Sequence, residues 1–313
     1  MTHKPPRKKI LVTGAGGLIG ARVVQKLAQY QVNVLAVDMS EKIHLFDHAP
    51  YVHWSIEDIL SPSFLNTLED SEVDLILHCA AHPGGLSLKE PVTNVEVNVL
   101  GSMKIFEWCA QHKVPVIYLS SSVVYGEQPY HPILEEAQLN PLTVYGACKV
   151  ACEQFLKILA QGYGLEYTVL RLFTTYGAGH TPNLFQGIVN IMLTQLLQGN
   201  QLVVKGSLKR IRDIIYVDDV ADAIIKVLFS SETRGHIYNL GTGSAYTIEE
   251  LITILVEVLG ENMQDINIIV QEGTVGDPFY NVPDTTRLTS VIDFHPNHTL
   301  QEGITKLIKN RMV

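Results

Sequence analysis

Short apolar runs rich in β-branched residues alternate with longer helical stretches through the first half of this chain. The runs predicted to be strands are residues 10–13, 32–37, 74–81, 114–120 and 167–173. Each run lacks a polar face, which is typical of a strand buried on both sides of a parallel sheet. The alternation therefore predicts an α/β fold built from βαβ units.

The pattern changes after Phe173. The elements expected there are a helix over about 185–198, extended chain at Gln201–Lys205 and 211–217, a helix over 218–229, a strand at His236–Leu240 and a helix that a Thr247–Glu250 capping box opens. We predict a Rossmann-type doubly wound parallel sheet with a smaller interleaved α/β substrate domain. The expected boundaries are 1–176 plus about 213–241 for the domain of the parallel sheet, and 177–212 plus 242–313 for the smaller substrate-binding domain.

Charge and hydropathy exclude several classes of partner. The 313 residues include 23 Lys and Arg against 32 Asp and Glu, a formal net charge of −9, which argues against binding nucleic acid or anionic membrane. No apolar run reaches the ~18 residues of a membrane span. The basic N-terminus leads into a strand instead of a signal core. We expect a cytoplasmic protein that holds any anionic ligand with a few local groups.

The cysteines indicate neither a disulfide framework nor a metal site. Cys79, Cys109, Cys148 and Cys152 form no CxxC pair. Cys148 and Cys152 are spaced to share a helix face, but no second pair completes a zinc site. We expect buried free thiols and no metal.

A glycine-rich turn, residues 13–20, follows the first predicted strand. Glycines at 14, 17 and 20 permit a tight turn, a close approach of the backbone to a pyrophosphate and close packing of the next helix. An ordinary βα turn is the alternative. Asp38 ends the second strand near the ~20-residue spacing at which an acid binds the adenosine ribose. Its carboxylate favours NAD over NADP, and a solvated acid is the alternative.

Two further groups of residues suit proton transfer. Tyr145 and Lys149 are spaced to share one helix face. A cation beside a phenol favours the phenolate form, which can take a proton from a sugar hydroxyl as hydride leaves its carbon. Ser120, Ser121 and Ser122 bring hydroxyls to the end of a strand. A surface Tyr/Lys pair and a polar strand end are the alternatives.

Together these motifs resemble the extended short-chain dehydrogenase/reductases, in particular the nucleotide-sugar epimerase/dehydratase group, over nearly the whole chain. Further matches are Asp58-Ile59, Cys79-Ala80-Ala81, Asn98 with Gly101, Arg171-Leu172-Phe173, Tyr176-Gly177, residues 212–220, residues 239–243 and Gly276-Asp277-Pro278. So many matches in one order are not expected by chance.

The resemblance implies roles for single residues. Tyr145 is the acid/base, Lys149 binds the nicotinamide ribose, and Ser121 assists catalysis, with Ser122 as the fallback. The residues expected to bind NAD are Gly14, Gly17, Leu18, Ile19, Gly20, Asp38, Met39, Ser40, Asp58, Ile59, Cys79, Ala80, Ala81, Asn98, Ser120, Tyr145, Lys149 and Phe173. The residues expected to bind the nucleotide-sugar substrate are Ser121, Ser122, Thr174, Asn183, Leu184, Lys205 and Arg212, of which Arg212 clamps the diphosphate. The family also implies a homodimer that pairs the helices around 94–112 and 143–161.

The residues after the catalytic serine distinguish between reactions. The family's 4,6-dehydratases carry Asp and Glu there, where this chain has Ser122 and Val123. We therefore expect an NAD-dependent epimerase that oxidises C4, lets the 4-keto sugar rotate and reduces it again. A 4-ketoreductase or sugar dehydrogenase is the alternative, a 4,6-dehydratase is less favoured, and a non-catalytic dinucleotide sensor is least favoured.

Three substrate positions depart from the family pattern. Thr174 replaces a usual Asn, Lys205 replaces a usual aromatic residue, and Thr274 stands in the stretch before Gly276 that usually carries an arginine. The candidates for compensating charge are Lys205, Lys209, Arg210 and Arg287, although solvated surface groups are the alternative reading. The loop 82–85 beside the cofactor is also unusual, and its His82 is expected to have no catalytic role.

Overall fold

The computed structural model describes residues 8–40, 49–129, 131–179 and 187–311. Seven strands of these residues form one sheet in which every neighbouring pair is parallel. They are β1 (Lys9–Thr13), β2 (Asn33–Asp38), β3 (Val52–Ile56), β4 (Leu75–His78), β5 (Val116–Ser121), β6 (Tyr167–Leu172) and β11 (His236–Leu240). Their order is β11-β6-β5-β4-β1-β2-β3. From β1 the chain adds β2 and β3 on one side of the sheet and then β4, β5, β6 and β11 on the other side. This reversal opens a crevice at the carboxyl ends of β1 and β4.

Helices cover both faces of the sheet. The helices of the described residues are α1 (Leu18–Gln29), α2 (Pro62–Asp70), α3 (Pro91–Val95), α4 (Ser102–His112), α5 (Val144–Tyr163), α6 (Ile188–Gln198), α7 (Val217–Phe229), α8 (Ile248–Leu259), α9 (Thr286–Ile292) and α10 (Leu300–Arg311). A π-helical segment, Glu96–Gly101, joins α3 to α4. Helices α1 and α7 pack on one face, and α2, α4 and α5 pack on the other. Both faces of the sheet are thus buried, which explains why its strands are continuously apolar.

A second layer lies beyond the carboxyl ends of the strands. Its short strands are β7 (Thr174–Tyr176), β8 (Gln201–Lys205), β9 (Ile211–Arg212), β10 (Ile214–Tyr216), β12 (Tyr246–Thr247), β13 (Asn267–Gln271) and β14 (Tyr280–Asn281). β7 pairs with β10, β8 pairs with β13, and β9 lies between β12 and β14. Helices α6, α8 and α10 pack against β8 and β10 around a separate apolar cluster. This layer is placed to close over the crevice.

The structure confirms the predicted α/β class and its Rossmann-type sheet, with two differences in the strands. β3 has no counterpart among the predicted strands, because His53 and Ser55 interrupt its apolar residues at the edge of the sheet. β4 ends at His78 instead of residue 81. The three residues that follow turn away at the mouth of the crevice, where Cys79 and Ala81 line it.

The division into two domains stays a prediction, and one segment packs differently from it. Helix α9 belongs to the 242–313 stretch that was assigned to the substrate domain. Its Leu288 and Ile292 instead pack in the apolar cluster under the sheet, together with Ile224 of α7 and Leu240 of β11. The two residues are one helical turn apart, so they present one apolar stripe to the sheet side.

Within the described ranges, no helix combines the length and the apolar character that crossing a membrane requires. All four cysteines are free thiols, as expected, and Cys109, Cys148 and Cys152 are buried. Cys79 is half-buried.

Candidate active site

The turn between β1 and α1 leaves no room for side chains at two of its glycines. Gly14 has a φ of +66°, and a Cβ there would lie 2.6 Å from the Ala80 nitrogen. A Cβ on Gly20 would lie 2.2 Å from the Gly14 carbonyl oxygen. Gly17 caps α1 without a side chain and lines the cleft with Leu18. The first turn of α1 therefore presents its N–H groups and its positive dipole end to the cleft, as in a pyrophosphate site.

Asp38 lies beside this turn at the end of β2. Its Oδ2 accepts a hydrogen bond from the Gly16 N–H and its Oδ1 accepts one from the Ser40 N–H, both at 2.9 Å. The Ser40 hydroxyl is buried and has no hydrogen-bond partner among the described residues. Because each carboxylate oxygen can accept a second hydrogen bond, Asp38 and Ser40 together can bind ribose hydroxyls. The Met39 side chain is 73% exposed.

A buried hydrogen-bonded chain through His78 fixes the base of the turn. The Ser102 hydroxyl donates to a backbone carbonyl at 2.7 Å, so it accepts from His78 Nε2 at 2.9 Å. His78 Nδ1 then accepts from the Thr13 hydroxyl at 2.7 Å, and that hydroxyl accepts from the Ala80 N–H at 3.2 Å. Burial, with a smaller effect of the Lys149 charge, lowers the pKa of His78 to about 3. The ring is therefore neutral at physiological pH, with the one donor and one acceptor that its partners need.

Helix α5 carries the candidate acid/base pair, and the Thr143 side chain caps it. Tyr145 and Lys149 are one turn apart. Lys149 Nζ donates to the Leu119 carbonyl at 2.8 Å and lies 5.5 Å from the centre of the Tyr145 ring and 4.5 Å from that of Tyr118. Lys149 is only 3% exposed. Its ammonium charge therefore acts on the site with little screening by water.

The three consecutive serines face different partners. The Ser120 hydroxyl donates to Glu153 Oε1 at 2.6 Å. Ser122 is buried, and its hydroxyl accepts from Asn281 Nδ2 at 2.8 Å. Ser121 is half-buried and lines the cleft, with only a long 3.5 Å contact from a backbone N–H to its hydroxyl oxygen. The geometry therefore favours Ser121 over the fallback Ser122 as the catalytic serine.

The candidate residues meet in a cleft of about 630 Å³ at the carboxyl ends of the strands. The predicted cofactor and substrate residues that line it are Gly14, Gly17, Leu18, Ile19, Gly20, Cys79, Ala81, Ser120, Ser121, Tyr145, Lys149, Phe173 and Thr174. The cleft thus joins the glycine turn to the acid/base pair, as a dinucleotide that reaches from pyrophosphate site to reaction site requires.

Other predicted residues lie away from this lining. They are Asp38, Met39, Ser40, Asp58, Ile59, Ala80, Asn98, Ser122, Lys205 and Arg212. Asp58 Oδ1 accepts from the Leu60 N–H at 2.9 Å, which places its carboxylate in the turn after β3. Lys205 is exposed at the end of β8, and Arg212 is buried on β9. Asn183 and Leu184 fall outside the described residues.

Asn98 supports the loop that follows β4. Its Oδ1 accepts from the His82 N–H at 2.8 Å, and its Nδ2 donates to the His82 carbonyl at 3.0 Å and to Asn94 Oδ1 at 3.1 Å. The described contacts thus use both ends of the Asn98 amide. In this structure Asn98 positions the loop, and a direct contact with the cofactor stays a prediction.

The loop 82–85 packs against the candidate acid/base. A Cβ on Gly84 would lie 3.0 Å from Tyr145 Cδ1 and 3.2 Å from Tyr145 Cγ. His82 anchors the loop, because its Nδ1 accepts from Asn94 Nδ2 at 3.0 Å and its Nε2 donates to Glu90 Oε2 at 2.9 Å. His82 thus anchors the loop, and its lack of a catalytic role stays a prediction, whereas Gly84 lines the cleft and was missed by the sequence reasoning. A Gly-Gly pair beside a catalytic motif is the signal for such close approach.

A buried ion pair lies beside β5, the strand that ends at Ser121. Arg171 Nη2 and Nε bind the two carboxylate oxygens of Glu153 at 2.6 Å and 3.0 Å, with side chains 2% and 0% exposed. The other Arg171 terminal nitrogen donates to the Tyr125 hydroxyl at 2.9 Å, which donates to Asn239 Oδ1 at 2.6 Å. Since Glu153 also binds Ser120, the network ties α5 and β5 to β6 and β11.

The model of the NAD dependent epimerase/dehydratase family matches residues 10–241. This chain belongs to that family. The predicted family, the prediction that the chain is an enzyme, and the prediction of NAD as its cofactor are confirmed. The cleft fits NAD, since the glycine cradle admits a pyrophosphate and the Ser40 hydroxyl lacks a partner within the described chain.

The matches to relatives cover nearly the full length of this chain. A UDP-glucose 4-epimerase of Mycolicibacterium smegmatis is 28% identical over 309 residues, which cover 96% of this chain and 97% of that protein. UDP-glucuronic acid decarboxylase 3 of Arabidopsis thaliana is 27% identical over 312 residues, covering 96% of this chain and 87% of that protein. The solved structure of a UDP-N-acetylglucosamine 4-epimerase from Methanobrevibacter ruminantium M1 matches with a TM-score of 0.89 at 28% identity, covering 98% of both chains.

Proposed function

We propose that this enzyme is an NAD-dependent 4-epimerase of a UDP-hexose. The observation that carries the proposal is the chemistry of the cleft. Among the described residues, no Asp, Glu, His or Arg lines it, and its ionisable side chains are Tyr145, Lys149 and Cys79. Burial raises the pKa of the Cys79 thiol, which keeps it protonated. One phenol beside one ammonium suffices for oxidation and reduction at a single carbon, whereas elimination of water needs a further acid and base.

The residues of the cleft divide the work of such a reaction. The glycine turn, Asp38 and Ser40 would hold NAD, which would supply a hydride acceptor for C4 of the sugar and a hydride donor for the opposite face of the ketone. Tyr145 takes the proton of the C4 hydroxyl and gives it back after the 4-keto sugar has rotated. Lys149 stabilises the negative charge on the Tyr145 oxygen from its buried position one helical turn away. Ser121 donates a hydrogen bond to the reacting oxygen.

The charge of Asp38, and the small number of charged groups that line the described part of the cleft, argue against the alternative reactions. The Asp38 carboxylate at the ribose position repels a 2′-phosphate, which disfavours a reductase that draws on NADPH. No cationic group other than Lys149 lines the described part of the cleft, so a sugar carboxylate would find no separate partner there. A neutral hexose therefore fits better than the uronic acid that a decarboxylase needs.

Direct conversion of nucleotide sugars tests the proposal. Purified protein is incubated with UDP-glucose, UDP-galactose, their N-acetylamino counterparts or UDP-glucuronic acid, and products are identified by NMR while absorbance at the nicotinamide band is followed. We expect conversion in both directions between a pair of 4-epimers at constant absorbance. A stoichiometric absorbance change would indicate a net dehydrogenase or reductase, and release of carbon dioxide would indicate a decarboxylase. Binding without any conversion would support the non-catalytic sensor.

The Gly84 contact predicts a kinetic defect. In Gly84→Val the new side chain must displace the Tyr145 ring, which lies 3.0 Å from the position of the Cβ. We expect kcat to fall roughly 10- to 100-fold, because small displacements of a reacting group cost about that much, while bound NAD is retained. The control is Gly162→Val on α5, the helix that carries Tyr145, where a new Cβ meets nothing within 4 Å. Equal kcat values for the two variants would contradict the role of Gly84.

We also infer that the enzyme is a homodimer. Val92 on α3, Leu100 in the π-helical segment and Ile158 on α5 are 68%, 51% and 61% exposed, and these helices pack beside one another. Apolar side chains on neighbouring helices suit a twofold interface. Light scattering should give twice the chain mass for the wild type and a monomer for Ile158→Glu. Phe229→Glu, which changes an exposed apolar residue on α7, should stay dimeric; a wild-type monomer at micromolar concentration would refute the inference.

The four free thiols support a reducing compartment, and we expect the enzyme to work in the cytoplasm. Localisation of a tagged full-length chain by cell fractionation tests this expectation.

A further inference from the structure

Positive charge is concentrated in the segment that connects β8 to β9. Of the eight residues 205–212, four are Lys or Arg and none is Asp or Glu, in a chain whose net charge is −9. The four are Lys205, Lys209, Arg210 and Arg212. Two of them, Arg210 and Arg212, have side chains only 8% and 6% exposed. Buried cations require anionic partners, so their surroundings identify what this segment binds.

The two buried guanidinium groups share one carboxylate. Arg210 Nη1 binds Asp277 Oδ2, and Arg212 Nη2 binds Asp277 Oδ1. The Asp277 side chain is 32% exposed, so the carboxylate is the open member of the cluster. Glu127 is the other acid that faces Arg212, and its carboxylate oxygens accept the Phe279 N–H at 2.9 Å and 3.1 Å. Asp277 therefore serves both guanidinium groups while it stays partly open to solvent.

The two arginines differ in how many of their guanidinium N–H groups are bound to protein oxygens. A guanidinium has five N–H groups. Arg212 directs four of them at protein oxygens, namely the carbonyls of residues 211, 278 and 279 and the Asp277 carboxylate. Arg210 directs three of them, at the carbonyls of residues 205 and 207 and at Asp277. Within the described chain, Arg210 thus keeps more donors for a ligand than the arginine that the sequence pattern designates.

The cluster adjoins the reacting end of the cleft. Arg212 is the register partner of Asn281 on the neighbouring strand β14, and Asn281 binds the hydroxyl of Ser122, next to the catalytic serine. On the other side, a Cβ on Gly276 would lie 2.4 Å from Thr143 Cγ2, at the cap of α5. Asp277 therefore lies between the N-terminus of α5 and β9, beside the residues that precede Tyr145 and follow Ser121.

We propose that Arg210 is a second binding group for the diphosphate of the substrate, and that Asp277 is the internal anion that the diphosphate displaces from the two guanidinium groups. This proposal rests on the function proposed above. It accounts for the missing arginine before Gly276, because Arg210, just before β9, brings a second guanidinium to Asp277 beside that of Arg212. The bidentate shape of a guanidinium suits phosphate oxygens, so lysine is a poor substitute.

Binding of UDP and of uridine to the NAD-loaded enzyme tests the proposal by calorimetry. Arg210→Gln should raise the Kd of UDP roughly 10- to 100-fold, since charge-assisted hydrogen bonds are lost. The Kd of uridine, which has no phosphate, should not change. Arg210→Lys should restore only part of the loss. The control is Arg234→Gln, which removes a mostly buried arginine just before the amino end of β11, away from the carboxyl ends of the strands, and should leave UDP binding unchanged.

For Asp277→Asn we expect the affinity for UDP to change in the opposite direction. Removing the competing carboxylate should tighten UDP binding at least about threefold, whereas a purely structural role of the cluster predicts equal or weaker binding. The proposal is overturned if folded Arg210→Gln binds UDP within twofold of the wild type, or if Asp277→Asn fails to tighten it. A wild-type enzyme that neither binds UDP nor converts UDP-sugars would instead remove the proposed function.

Discussion

Replacing Tyr145 with phenylalanine should lower kcat for the interconversion of UDP-sugars by about 10²- to 10⁴-fold, the usual range for loss of a general acid/base. The change removes one oxygen atom and leaves the ring in place between Gly84 and Lys149, so folding and NAD binding should persist. Initial rates with the active epimer pair, measured by NMR or by a coupled assay, give kcat and KM. The NAD released on denaturation shows whether the cofactor site is intact.

The control for this change lies on the same helix. Tyr163 at the end of α5 is 60% exposed, so Tyr163→Phe also removes one phenolic oxygen but should leave kcat within about twofold of the wild type. Unchanged turnover in Tyr145→Phe would show that another group transfers the proton, and Tyr145 would then have only a packing role.

Arg171→Met should lower the free energy of unfolding by about 3–5 kcal/mol, because it leaves the Glu153 carboxylate buried without its cation. Glu153 is fully buried, and its remaining described side-chain partner is the Ser120 hydroxyl. A loss of this size is a large part of the total stability of about 5–15 kcal/mol that is usual for a folded protein. Urea unfolding followed by circular dichroism measures the difference.

A second ion pair provides a matched comparison. Lys26 and Asp222 join α1 to α7 at 2.6 Å, the same distance as the Arg171–Glu153 contact, but their side chains are 21% and 33% exposed. Lys26→Met should therefore cost only about 0.2–1 kcal/mol. Losses of equal size in the two variants would mean that burial does not determine the contribution of the Arg171 pair.

The parts of the fold that could be predicted are those whose signal is local in the chain. Continuous apolar runs located the buried strands. Both halves of the predicted capping box are also present, because the Thr247 hydroxyl accepts from the Glu250 N–H and the Glu250 carboxylate accepts from the Thr247 N–H. β3 escaped prediction because an edge strand needs only one apolar face. The spacing of Tyr145 and Lys149 likewise placed both on one turn of α5.

The contacts that could not be predicted join distant parts of the chain. Asn281 and Ser122 are 159 positions apart, and the hydrogen bond between them decides which serine is free to act. The pairing of Arg210 with Asp277, 67 positions apart, likewise depends on how β9 and its neighbours pack. A sequence pattern shows which arginine matches a motif, but the donors that remain free are set by such tertiary contacts.

The packing of Gly276 and Asn281 against the cap of α5 and Ser122 bears on how the protein assembles during synthesis. Strands β1–β5 and helix α5 leave the ribosome long before β14, and domains generally fold from the N-terminus as they emerge. Contacts between such distant segments also close slowly. The NAD half of the molecule can therefore form first, and catalytic geometry is completed only when the last part of the chain docks. Helix α9 belongs to that last part of the chain, so the apolar cluster under the sheet is completed at the same step.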